Sequence, residues 1–214
     1  MNKTIPISAN IQDKNNSIAS KTRELCARLG IRVVNMISSP GSGKTSLLVA
    51  MAKQLGQRLA VITGDIQTTI DADRIAAGGA RAIQIETGGS CHLTADMVHS
   101  ALLELDLSGV ELLVIENIGN LVCPSTLDLG EQLKIALLSV AEGDEKPIKY
   151  PALFVRAAAV VFTKIDLAPY VNFDFDRATR DIRSLNSSVK IFSVSTTQNI
   201  GTDSFTDYCL TLQP

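Results

Sequence analysis

The feature that most constrains this chain is the run Ile37-Ser38-Ser39-Pro40-Gly41-Ser42-Gly43-Lys44-Thr45-Ser46. An apolar stretch from Arg32 to Ile37 leads into it and Leu47-Leu48-Val49-Ala50-Met51-Ala52 follows it, which reads as strand, glycine-rich loop and helix. Such a loop turns successive backbone N–H groups toward one point at a helix N-terminus. Lys44 then brings positive charge to the β- and γ-phosphates of a nucleotide, and the Thr45 hydroxyl offers a ligand to Mg2+. Gly41, Ser42, Gly43, Lys44, Thr45 and Ser46 are therefore the expected phosphate-binding set. The full pattern has glycine where Ser38 stands, yet Gly41 and Gly43 remain where the backbone comes closest to phosphate.

The rest of the chain repeats the alternation of strand and helix. Apolar runs at 58–63, 82–85, 110–116, 135–140, 158–162 and 189–194 read as strands, and residues 71–77 and 94–105 as helices between them. This pattern predicts an α/β protein with a mainly parallel sheet, helices on both faces and a P-loop NTPase fold. Residues 1–16 are polar without a period. Ser17 can cap an amphipathic helix bearing Ile18, Leu25, Cys26 and Leu29 on one stripe, and Gly30 stops it. The expected division is therefore a tail and helix over 1–30 and a P-loop nucleotide-binding domain over 31–214.

Composition narrows the function. With 214 residues, 45% of them hydrophobic, the chain has enough apolar surface for one full core. A formal charge of −2 gives no electrostatic ground for nucleic acid or an anionic membrane as partner. Apolar runs such as 157–162 fall far short of the roughly 20 residues a membrane span needs, and the first 30 residues lack a basic start followed by an apolar core. A cytoplasmic location is expected. The four cysteines, Cys26, Cys91, Cys123 and Cys209, are then thiols or metal ligands rather than a disulfide framework.

Open α/β sheets bind ligands at the carboxyl ends of their strands. Three carboxylates belong there, Asp65, Asp71 and Glu116, each able to reach Mg2+ or an attacking water. Asp71 also stands where a helix N-cap belongs. Thr163-Lys164-Ile165-Asp166 follows another strand. Its carboxylate can accept from N1–H and the 2-amino group of guanine while the Lys164 stem lies along the ring. In isolation the same four residues are an ordinary helix-capping string. Asparagine is usual where Thr163 stands, so the tie from this loop to the phosphate loop is expected to be missing and GTP affinity to be reduced. Cys91, His92 and Cys123 have the chemistry of Ni2+ or Zn2+ ligands. On spacing alone they read rather as small buried thiols beside a polar histidine. His99, seven residues beyond His92 on a helix, reads as an ordinary helix residue.

From Val33 to Gly201 the chain resembles the HypB-type GTPases that help insert nickel into nickel-iron hydrogenases. The stretches that carry the likeness are the phosphate loop, Gly64-Asp65 with Asp71-Ala-Asp-Arg74, Thr87-Gly88 with Cys91-His92-Leu93, Ile115-Glu-Asn-Ile-Gly-Asn-Leu-Val-Cys-Pro124, Asp128-Leu-Gly-Glu131, Glu142-Gly143 with Lys146-Pro147 and Lys149-Tyr-Pro151, and Lys164-Ile-Asp-Leu167. The resemblance implies a Mg2+-dependent GTPase that forms a homodimer when GTP is bound. Thr45, Asp71 and Glu116 would serve Mg2+ and water, and Cys91, His92 and Cys123 would carry Ni2+ or Zn2+ at the subunit interface. The implied partners are a hydrogenase accessory protein and the hydrogenase large-subunit precursor. Asp96 departs from the histidine often found there. The rival readings are a P-loop kinase and a non-hydrolysing, GTP-gated metal-binding scaffold.

Overall fold

The computed structural model describes residues 7–65 and 70–213. Seven strands form one sheet: β1 (Arg32–Ile37), β2 (Leu59–Asp65), β3 (Arg81–Glu86), β4 (Leu112–Glu116), β5 (Leu133–Ser139), β6 (Ala157–Thr163) and β7 (Lys190–Val194). Their order is β3-β2-β4-β1-β5-β6-β7, and every pairing is parallel. Between and around them run α1 (Ile7–Leu29), α2 (Lys44–Leu55), α3 (Ile70–Ala77), α4 (Ala95–Glu104), α5 (Lys146–Lys149), α6 (Pro151–Arg156), α7 (Phe175–Leu185) and α8 (Thr202–Leu210). This is the doubly covered α/β sheet of a P-loop NTPase.

The alternation of side chains along β1 decides which layer each residue serves. Val34 and Met36 enter the core shared with α2, α3 and α8, where Leu47, Leu48, Met51, Ile75 and Phe205 are buried. Val33 faces the opposite layer with Cys26, Val98 and Leu102 of α1 and α4, while Ile37 joins Phe154, Phe162 and Ile182 of the α6–α7 side. Each fully buried aliphatic or phenyl side chain contributes about 1.5–3 kcal/mol of transfer free energy. Two-sided burial is why the inner strands read as continuous apolar runs, as in the wholly buried Leu112–Glu116.

Helix ends follow local chemistry. Thr94 caps α4 by accepting from the Met97 amide, and Asp174 caps α7 by accepting from the Arg177 amide. The sequence reading is corrected at α1. That helix is already formed at Ile7, ten residues before Ser17, so residues 7–16 are helical rather than irregular. Tertiary contacts override the weak local signal: the Ala95 amide donates to Asn15 Oδ1 at 3.0 Å, Asn15 Nδ2 donates to the Asp128 carbonyl at 2.7 Å, and Arg23 pairs with Asp128 at 2.7 Å. Residues 1–6 lie outside the described residues.

A second correction concerns where the strand read over 58–63 ends and the helix read over 71–77 begins. Gly64 and Asp65 belong to β2, where they pair with Ile85 and Glu86, and Ile70 already belongs to α3. The four residues between lie outside the described residues. Asp71 consequently sits inside the first helical turn, 3.5 Å from Arg74, rather than at the cap.

Candidate functional site

β1 is flanked by β4 and β5, so the loop leaving its carboxyl end emerges at the middle of the sheet's active edge. Gly43 has φ of +95° as it opens α2, a conformation that a residue with a Cβ adopts only under strain. The loop and its neighbours line a cavity of about 460 Å³ formed by Pro40 to Ser46, Gly64, Asp65, Asp71, Arg74, Glu116 to Gly119, and Lys164. The expected phosphate set and the three expected carboxylates therefore share one space, with Lys164 at its rim.

Lys44 is 7% exposed, and its Nζ donates to Ser38 Oγ at 2.7 Å. Ser38 Oγ also donates to the Ser39 carbonyl at 2.8 Å and is in close contact with Ser42 Oγ. The serine that replaces the pattern's glycine thus holds the lysine inside the loop. Burial pushes the Lys44 ammonium below its ordinary pKa, while Glu116, Glu142 and Asp71 act in the opposite direction.

Glu116 closes β4 with 4% exposure. Its Oε1 accepts from Thr45 Oγ1 at 2.9 Å, and its Oε2 is buried with no hydrogen-bond partner among the described residues. Burial pushes this carboxyl up to about 7, against the pull of Lys44 and Thr45. A hydroxyl and an orphaned carboxylate oxygen beside a phosphate cradle match the hard-oxygen donor set that Mg2+ takes from protein. Burial of the free carboxylate also has a consequence for stability. A folded pKa of about 7 against an unfolded value near 4.3 means that Glu116 takes up protons on folding in that window, so stability falls as pH rises through it. Glu116→Gln should therefore raise the Tm of the nucleotide- and Mg2+-free protein at pH 8, by several degrees for a gain on the order of 1–3 kcal/mol, and change it little at pH 4.5. Calorimetry at the two pH values checks this; an equal shift at both would show that the carboxylate's charge is not the cause.

The 163–166 loop requires another correction. The tie expected to be lost at Thr163 is present: Thr163 Oγ1 donates to the Ser42 carbonyl at 2.5 Å, and Lys164 Nζ to the Gly41 carbonyl at 2.7 Å. A hydroxyl on β6 does what a longer amide would, because β6 ends close enough for the shorter side chain. Lys164 itself has a left-handed φ of +56°. Asp166 and Lys164 line a second cavity of about 310 Å³ with Leu167, Val194, Thr196 and Thr197, large enough for a purine. Asp166 Oδ1 accepts from Ser195 Oγ at 2.6 Å, and that bond holds the carboxyl below its ordinary pKa. The sequence reading passed over Ser195, although Ser195-Thr196-Thr197 follows β7 at the edge where ligands collect.

Cys91 and His92 follow β3, Cys123 follows β4, and their ligand atoms lie within 4.8 Å of one another. Cys91 is exposed and Cys123 partly so, whereas Cys26 and Cys209 are buried in the core. Cys91 Sγ is 3.4 Å from His92 Nδ1. Hydrogen bonding with Cys123, followed by partial desolvation and the charge of that neighbour, raises the Cys91 thiol above its ordinary pKa. Two thiols and an imidazole so placed offer the soft and borderline ligands that Ni2+ and Zn2+ accept. Asp96, on the first turn of α4, is exposed and outside this cluster. His99 faces α1, with its Nδ1 3.0 Å from Thr22 Oγ1.

Residues 32–193 match the family model described as CobW/HypB/UreG, nucleotide-binding domain. The hydrogenase maturation factor HypB of Escherichia coli (strain K12) is 43% identical over 206 residues, an alignment covering 95% of this chain and 71% of that protein. The crystal structure of HypB from Helicobacter pylori in complex with nickel superposes with a TM-score of 0.88 at 40% identity, covering 92% of this chain and 94% of that one. HypB from Archaeoglobus fulgidus gives 0.84 at 33% identity, covering 92% and 97%. No helix among the described residues is long and apolar enough to cross a membrane.

Proposed function

We propose that this chain, which belongs to the CobW/HypB/UreG family and is a P-loop GTPase, carries Ni2+ in the cytoplasm for hydrogenase maturation. The observation that carries this reading is the convergence of Cys91, His92 and Cys123 within 4.8 Å on loops next to the phosphate cavity. GTP seats its phosphates on Gly41 to Ser46 and its base against Asp166 and Lys164. Thr45 and Glu116, with Asp71 close by, would hold Mg2+, which when bound neutralises charge on the β- and γ-phosphates. Asp65 and Asp71 also line the cavity and would orient the attacking water.

The metal site faces solvent in the single chain, so a second copy completes it. Two subunits bring four thiols and two imidazoles together, enough for one or two ions. GTP binding closes this homodimer and hydrolysis reopens it, releasing Ni2+ to an accessory protein and then to the hydrogenase large-subunit precursor. Zn2+ is the competing ion, because it takes the same ligands.

Equilibrium dialysis with Ni2+ tests the reading. Loss of an outer-shell group alone costs about 10–100-fold in metal affinity, so removing a ligand in Cys123→Ala should cost more than about 100-fold. Cys209→Ala should leave binding unchanged, since that thiol is buried away from the site. Equal binding by both variants and the parent would leave the three residues as a chance cluster.

A further inference from the structure

The segment from Glu116 to Cys123 leaves the nucleotide cavity and ends at the metal ligands, and its side chains fasten one to the other. Asn117 is 1% exposed. Its Oδ1 accepts from its neighbour's amide at Ile118 (3.0 Å) and from the Leu93 amide (3.3 Å), immediately after His92. Its Nδ2 donates to Asn35 Oδ1 at 3.3 Å in the middle of β1, and Asn35 Nδ2 in turn reaches Glu131. Gly119 lies against the phosphate loop so closely that a Cβ there would sit 2.8 Å from Pro40. Asn120 then turns the other way. Its Nδ2 donates to the Cys91 carbonyl at 3.3 Å, and its Oδ1 accepts from the Val122 and Cys123 amides at 2.8 and 3.4 Å. One side chain therefore grips the backbone of both cysteines, while the residue before it presses on the phosphate loop.

We propose that Asn120, anchored by Asn117, is the positioning residue through which occupancy of the phosphate cavity reaches the spacing of Cys91 and Cys123. A shift of residues 116–119 on seating a γ-phosphate cannot leave Asn120 in place, and both cysteine backbones are tied to that side chain. Two such bonds do not set whether the thiols bind metal; they set whether the thiols respond to nucleotide. The inference rests on the functional reading above for its use of Ni2+, but the linkage itself can be read without metal.

The test compares the parent chain with Asn120→Ala and Asn120→Asp at saturating GDP or a non-hydrolysable GTP analogue. Asparagine-to-aspartate keeps the acceptor for the Val122 and Cys123 amides and removes the donor to Cys91. A role confined to shaping the Cys123 turn would therefore survive in Asn120→Asp, whereas the bridge would not. In metal-free protein, alkylation of Cys91 and Cys123 by iodoacetamide, resolved by peptide mass spectrometry, should differ between the two nucleotides in the parent. That difference should shrink about five-fold in both variants, the scale of one hydrogen bond's net contribution. The ratio of Ni2+ dissociation constants between the two nucleotide states should shrink in parallel. A parent that alkylates differently with nucleotide but binds no Ni2+ would sink the nickel reading and leave the linkage standing. Nucleotide responses that are unchanged in both variants, retained in Asn120→Asp, or absent in the parent would overturn the linkage.

Discussion

Lys44→Ala should lower kcat/KM for GTP by at least about 100-fold, the cost of removing one preorganised electrostatic group from a transition state, and often nearer 1,000-fold. The side chain is enclosed, with its ammonium held by Ser38 and surrounded by Glu116, Glu142 and Asp71. An ammonium already desolvated there meets the γ-phosphate without first shedding bulk water, so its removal is felt more than that of an exposed lysine. The backbone donors of Gly41 to Thr45 remain, so some GTP binding persists. The homodimerisation proposed to follow GTP binding should fall with turnover, because both would draw on the same β/γ-phosphate contact. The alanine variant also removes the nearest cation from Glu116, whose folded-state pKa should rise further. Phosphate release and light scattering with a non-hydrolysable GTP analogue measure the two effects; dimerisation at parental GTP concentrations would separate the subunit contact from the lysine.

What the sequence disclosed and what it hid divide along the range of the interactions. The phosphate loop was legible because its chemistry is consecutive: six residues in a row between a strand and a helix fix where β1 lies and which edge of the sheet is active. The five inner strands were legible because two-sided burial leaves apolar runs that polar surface does not interrupt. The early start of α1 was hidden, since what stabilises residues 7–16 includes contacts of Asn15 with Ala95 and Asp128, far away in the chain. The convergence of Cys91, His92 and Cys123 was likewise hidden from spacing, and only the family likeness pointed to it. Cys123 lies 31 positions beyond His92, and only the β3-β2-β4 order of strands returns it to that neighbourhood. Thr163 misled for a geometric reason: residue type suggested that a tether was lost, while the distance from β6 to Ser42 is short enough for a hydroxyl to span. Asn117 and Asn120 carried no sequence signal beyond the likeness itself, because a side-chain amide acquires its role from the backbone groups brought to it.

Asp166→Asn should exchange base preference, weakening GTP by about 100-fold or more, since hydrogen bonds to a charged group contribute about 1.5–3 kcal/mol each and guanine presents two donors to this carboxylate. Xanthine differs by a 2-oxo group that wants a donor where guanine offers one. The structure indicates how asparagine would be oriented. Ser195 Oγ donates at 2.6 Å to Asp166 Oδ1, and Thr197 Oγ1 lies 2.9 Å from that hydroxyl, so the amide oxygen takes the Ser195 side and Nδ2 is left toward the base. The oxygen's second lone pair still accepts N1–H, which both bases carry. XTP should therefore bind Asp166→Asn at least as tightly as GTP does, and XTP hydrolysis should use the unaltered phosphate loop. Adding Ser195→Ala should remove much of the XTP gain by freeing the amide to flip. Competition of unlabelled GTP, XTP and ATP against a fluorescent nucleotide decides the matter: parental GTP affinity in Asp166→Asn with no gain for XTP would place the base elsewhere, and strong competition by ATP against the parent would favour the kinase reading.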